Sequence, residues 1–408
     1  MGEAGGATFG VADLEQMARE STGLDDFGSD PLYREGLAEA IASLDEDAVP
    51  PFASAVLKVR LVAQLEARLR VVADMKQHPE IGAREVERPV FIVGLPRSGT
   101  TVTFDMLAAD PAFRFPREWE WMLPWPATQA ATIDTDPRID LIQPMMRRFA
   151  EAAPELAAVQ RLDCTLPGEC NTGLMFNFTS TNIHAEFNTV RHLRWIVEGH
   201  TTGLYRDHRR LLQYMQWQGP KGRWLLKSPQ HMFDLQGLME TYPDARIVWT
   251  HRDPVSTFSS LSSMIVLLQR AVDLSPDPHQ VGEMVAYAWS RAILNALRAR
   301  EENPAIAAAT IDVAHGRIVS EPISVMRDIY AHVDQPFTAE TEARLRAFSN
   351  GETAQRLGRH RHAPEMFGID TATVRSTLAI YYETFGEFLH LPRNEPKSSP
   401  ATGRRAAR

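Results

Sequence analysis

The sequence predicts an α/β fold: a P-loop-like parallel sheet flanked by helices, with an N-terminal helical extension and a helical insertion. Three observations predict it. Short runs of β-branched and apolar residues recur at 89–93, 223–227, 246–250 and 307–313, each of a length suited to a strand buried on both faces. Stretches of helical periodicity separate them, as crossovers between parallel strands require. The first run ends in a glycine-bounded turn that opens a helix, which places an anion site at a strand's carboxyl end.

Residues 1–87 form the extension. Its first dozen residues are rich in Gly and Ala and are expected to be mobile. Asp30-Pro31 supplies an N-cap followed by proline at the first helical position, and Leu32, Leu37, Ile41 and Leu44 follow at helical spacing. Leu57, Leu61, Leu65 and Leu69 mark a second helix with an i+4 apolar ladder. Both read as packing elements.

The stretch at 88–111 organises the rest. The run to Val93 is stopped by Gly94, and Gly94-Leu95-Pro96-Arg97-Ser98-Gly99-Thr100-Thr101 leads into a helix carrying Val102, Met106 and Leu107, stopped by Asp110-Pro111. Free N–H groups of the first turn and the positive helix end converge there. Ser98, Thr100 and Thr101 add hydroxyls and Arg97 adds a planar cation. The loop has the glycine spacing of a nucleotide-triphosphate loop, but Thr100 stands where that motif needs Lys. A G-x-G-x-x-G dinucleotide fingerprint is absent.

GLPRSGTT resembles the phosphosulfate-binding loop of sulfotransferases that use 3′-phosphoadenosine 5′-phosphosulfate (PAPS), as in bacterial sulfotransferase-family proteins and, more distantly, tyrosylprotein sulfotransferases. The resemblance spans roughly residues 88–390, with its specific motifs in three short segments. It implies that Arg97, Ser98, Gly99, Thr100 and Thr101 hold the 5′-phosphosulfate. In the second segment, a strand at 223–226 ends in Lys227-Ser228-Pro229-Gln230-His231; the resemblance gives Lys227 the oxygen bridging phosphate and sulfate. His231 is either a general acid/base or a polar residue at a helix start. In the third, Arg252 follows a strand and Ser260 lies eight residues on in a Ser-rich helix, resembling the family's 3′-phosphate site. Lys227 and Arg252 are twenty-five positions apart, as in the tyrosylprotein branch.

Glu118 lies twenty-one positions after Arg97, where tyrosylprotein sulfotransferases carry a catalytic base. Desolvation among Phe115, Trp119 and Trp121 would raise a carboxyl pKa towards the range of a general base; the alternative is a surface Glu paired with Arg114 or Arg117. The helical insertion at 112–222 has no strong strand signal. Its Phe113, Phe115, Trp119, Trp121, Trp125, Met175, Phe176 and Phe178 form either an apolar acceptor pocket or plain core. The resemblance also implies an aromatic and an acidic residue after the fourth strand, but the chain has His315 and Gly316, so no contact is carried over. The basic cluster from Arg356 to His362 resembles a C-terminal loop near the 3′-phosphate and brings in Arg359; a solvated basic face is its competitor, and a zinc site from His360 and His362 lacks further nearby ligands. The α/β domain is expected over 88–393 and a disordered tail over 394–408.

Composition sets limits. A net charge of −9 across 408 residues argues against nucleic-acid binding. Two cysteines, Cys164 and Cys170, are too few for a disulfide framework or a four-Cys zinc site. Neither a signal peptide nor a membrane-length apolar run is apparent, so a cytoplasmic location is expected. The expected activity is transfer of the sulfuryl group from PAPS to a hydroxyl of an apolar small-molecule or lipid acceptor, with no metal required. Glu118, Lys227, His231 and Arg97 are its catalytic candidates. The rivals are a P-loop kinase, which needs the loop Lys and a metal-binding Asp ending a second strand, and a non-catalytic nucleotide-binding module.

Overall fold

The computed structural model describes residues 9–157, 162–350 and 362–389. Five parallel strands form one sheet in the order β2-β3-β1-β4-β5: β1 (Val90–Gly94), β2 (Phe113–Arg114), β3 (Arg223–Lys227), β4 (Arg246–His251) and β5 (Thr310–Ala314). The chain runs outward on one side of β1 and then returns to its other side, so the strand order reverses around β1, where open α/β sheets bind ligands.

Alternation along the strands explains the all-apolar runs. Phe91 and Val93 enter one core cluster with Trp224, Leu226, Ile247 and Trp249, while Val90 and Ile92 enter a second with Leu225 and Val248. Both faces are covered, so no polar residue is needed between them. Register then fixes the site: Ile92 lies opposite Lys227 and Gly94 opposite Thr250.

A third cluster joins the N-terminal helices. Leu57, Leu61, Leu65 and Leu69 of the helix Pro51–Gln77 are all solvent-free against Leu37, Ile41 and Leu44 of the helix Leu32–Glu46. Phe178, Ile183 and Phe187 from the 112–222 segment complete it. Arg68, on the same helix, forms a buried 2.7 Å ion pair with Asp207 and lies over the Tyr33 ring.

Three expectations shift. Phe9 is buried and Val11 opens a helix, Val11–Thr22, so the part of the first dozen residues that is described is packed. The two-residue strand β2 lies in the segment without a strand signal and is held by its partner β3. The fourth predicted run starts as a helix, Pro304–Ala309, because Asn303 caps it by accepting from the Ala305 N–H; the strand begins only at Thr310.

Candidate active site

The loop after β1 is shaped from inside. Ser98 Oγ donates to the Leu95 carbonyl at 2.6 Å and pairs with Thr250 Oγ1 at 2.7 Å. Its hydroxyl is fully buried, so Ser98 ties the loop to β4 and does not offer the anion-facing hydroxyl expected of it. Gly99 caps the helix Thr100–Ala108 with φ +97°, and a Cβ there would lie 3.0 Å from the His315 ring. Arg97 also takes a left-handed φ of +69°, the kind of local strain that clusters at ligand sites. The helix start turns its first free N–H groups to the sheet's carboxyl edge.

Cations from the strands on either side of β1 reach this loop. Lys227, ending β3, is almost wholly buried; its Nζ is 3.3 Å from Thr101 Oγ1 and ion-paired with Glu169. Arg252, just after β4, donates from Nη1 to the Arg97 carbonyl at 2.8 Å, and Arg97 Nε donates to Ser260 Oγ at 3.4 Å. Arg97, Arg252 and Ser260 therefore form one connected group.

Glu118 opens the helix Glu118–Met122, close enough to Lys227 and Glu169 to interact with both electrostatically. Both arginines offered as its partners are engaged elsewhere: Arg114 pairs with buried Glu120, and Arg117 with Asp134. Thr172 Oγ1 donates to Glu118 at 2.7 Å. Burial pushes the Glu118 carboxyl up to about 7; Thr172 and Lys227 oppose the shift and neighbouring Glu169 reinforces it. Such a group exchanges a proton near neutrality.

Two chain segments are stitched together to hold it there. Glu118 N–H donates to Leu166, Gly168 N–H donates to Pro116 at 2.8 Å, and Arg117 bridges Pro167. Gly168 packs on the Glu118 backbone so closely that a Cβ would lie 2.8 Å from Glu118 N and Cα. Gly168→Ala is expected to destabilise by about 1–3 kcal/mol through this overpacking and to lower turnover by displacing Glu118. Urea unfolding beside steady-state kinetics checks both.

The family model described as "Sulfotransferase family" matches residues 89–339, which include every strand and all these groups. The chain belongs to the sulfotransferase family. It is similar to the crystal structure of sulfotransferase STF9 from Mycobacterium avium, at 30% identity and TM-score 0.83, covering 94% of this chain and 97% of that one. It is also similar to sulfotransferase STF1 from Mycobacterium tuberculosis H37Rv, at 26% identity and TM-score 0.80, with 92% and 100% covered. Among curated proteins none matches.

Other residues of this sulfotransferase stand apart from the loop group. His231 is fully buried; its Nδ1 is 3.0 Å from the Tyr205 hydroxyl, and it packs edge-on to Phe91 and His208. Burial holds its imidazole well below the ordinary value, with His208 adding to the effect. This is a core histidine, closed to an acceptor. Most of the rings offered as a pocket are core too: Trp121, Phe113, Phe176 and Phe178 enter the main clusters, and Trp119 packs with Ile142 and Cys164. Phe115 and Met175 are half-buried, and Trp125 is exposed beneath Arg70. Arg359 and His360 lie outside the described residues; His362 Nδ1 sits 2.8 Å from Ser259 Oγ, beside Ser260.

Two residues at the site went unassigned by sequence. His315 packs on Gly99, and burial with Arg252 nearby holds its imidazole down to about 4. Glu169 is the anion on Lys227. An acidic residue next to a Gly in a segment without periodicity carries no signal of that partnership; only the pairing with residues 116–118 places it.

Among the described residues no helix is long and apolar enough to cross a membrane.

Proposed function

We propose that this sulfotransferase moves the sulfuryl group of PAPS to a hydroxyl of a small-molecule or lipid acceptor. The observation that carries this reading is the convergence of three strand ends: Lys227 and the linked Arg97–Arg252–Ser260 group meet the β1 loop beside a carboxyl titrating near 7. In this reading Arg97, Gly99, Thr100 and Thr101 hold the 5′-phosphosulfate, and Arg252 with Ser260 holds the 3′-phosphate. The acceptor oxygen attacks sulfur in line while its proton passes to Glu118. The bond between sulfur and the bridging oxygen breaks, and its electron pair leaves with adenosine 3′,5′-bisphosphate. Lys227 and Arg97 neutralise the charge gathering on that oxygen and on the sulfuryl group. This neutralisation calls on no metal ion.

The kinase reading has less support. Thr100 replaces its loop Lys, and Asp312, the acidic residue within β5, is engaged by Arg300 and His251. Calorimetric titration of adenosine 3′,5′-bisphosphate against ADP tests the choice. The expected result is a strong preference for the bisphosphate, reduced by roughly tenfold to a hundredfold in Arg252→Ala through loss of one charge-assisted contact. Equal binding, or preference for ADP with Mg²⁺, would put phosphoryl transfer first.

A further inference from the structure

The partner of Lys227 is unusual for a residue meant to meet a substrate. Its side chain is 2% exposed, and a buried ammonium needs an anion against it. Glu169 supplies one from a side chain 41% exposed, so the carboxylate reaches in from the solvent side. Glu169 sits at the N-cap of the short helix Cys170–Gly173, yet its side chain makes no capping hydrogen bond. The carboxylate is turned to Lys227, not to the helix. It is also close enough to Arg97 and Glu118 to perturb both electrostatically. One negative charge therefore faces the ammonium, the guanidinium and the carboxyl of the site, where the proposed donor must place its own negative charges.

We infer that Glu169 holds the place of the donor's anionic group on Lys227 in the free enzyme and is displaced from it when the donor binds. The inference rests on the PAPS reading. Without donor, the pair keeps Lys227 aimed at Thr101 and the loop. When phosphosulfate arrives, its bridging oxygen becomes the anion on Lys227, and two negative groups cannot share the position without repulsion. Glu169, on the open side, is the group free to leave. Charge on Lys227 is thus matched in both states, which avoids an uncompensated buried cation. The arrangement lowers donor affinity and keeps the ammonium positioned throughout the cycle.

The prediction has an unusual sign: removing a residue of the site should tighten binding. For Glu169→Gln the dissociation constant of adenosine 3′,5′-bisphosphate, by calorimetry on the full chain, should fall about tenfold at low ionic strength. That gain should shrink only in part at high salt, because the charges meet at contact range in a largely buried site. Glu169→Asp keeps the charge and should stay within about threefold of wild type. Glu169→Ala carries the same expectation as Gln if the Gln variant does not fold. Unchanged or weaker binding in Gln and Ala, with wild type still binding the bisphosphate, would make Glu169 a structural residue and overturn the inference. A wild type that binds no bisphosphate would overturn the donor reading and this inference with it.

Discussion

Lys227→Ala is expected to lower kcat by about a thousandfold, the scale of losing one preorganised charge at a developing anion, while changing donor affinity far less. Attraction to the ammonium grows as charge moves onto the bridging oxygen, so its removal acts mainly on the transition state. In the proposed reading the loop N–H groups, Arg97 and Arg252 would still hold the nucleotide in the ground state. The truncation also strips Glu169 of its partner, so some loss of affinity is expected, and the double variant with Glu169→Gln should restore that part but not kcat. Single-turnover rates beside calorimetric dissociation constants separate the two effects. Large loss of affinity with kcat preserved would make Lys227 a binding residue only.

Glu118→Gln is expected to lower kcat/KM by about a hundredfold to ten-thousandfold, the usual contribution of a positioned base. The pH dependence has a definite sign. A base must be ionised, so wild-type kcat/KM should rise with pH through about 7, the value to which burial raises the Glu118 carboxyl, and the Gln variant should lack that limb. Groups facing Glu118 are Thr172, Glu169 and Lys227, with the Cys164 thiol on the adjoining segment. The effect on stability runs the other way. A carboxyl whose folded pKa exceeds its unfolded value of 4.5 binds its proton more tightly when folded. Its contribution is full below 4.5 and is lost as pH rises through about 7. Glu118→Gln should therefore raise the thermal midpoint at pH 8 by roughly a degree or two while abolishing most activity. Loss of both activity and stability would mark Glu118 as structural.

The strands and the residues at their ends are legible in the sequence. Strands β1, β3 and β4 are apolar on both faces, so their runs stand out, and Gly94 and Lys227, which end two of them, and Arg252, which follows the third, are placed by the strand ends. What was hidden depends on direction or on distant pairing. Whether the Ser98 hydroxyl faces outward or back to Leu95 is a rotamer choice that sequence does not record. Trp119 and Trp121 are equally suited to a pocket wall or a core, and packing against Ile142, Cys164 and the main cluster decided it. His231 carries a titratable ring next to a site segment, yet the turn after β3 points it under the sheet towards Tyr205. Glu169 depended on the bridge between Arg117 and Pro167, a contact of two residues with no period to betray it.

The strand order has a consequence for synthesis. The loop strand β1 is complete by residue 94, but its neighbours β3 and β4 end at residues 227 and 251, and Ser260 comes later still. A chain emerging from the ribosome carries the glycine loop long before it carries the cations that flank it. Neither flank of β1 can pair until more than a hundred further residues have followed, and such non-local pairing forms slowly. A fragment cut between the loop and the end of β3 would keep the loop with neither Lys227 nor Arg252 beside it.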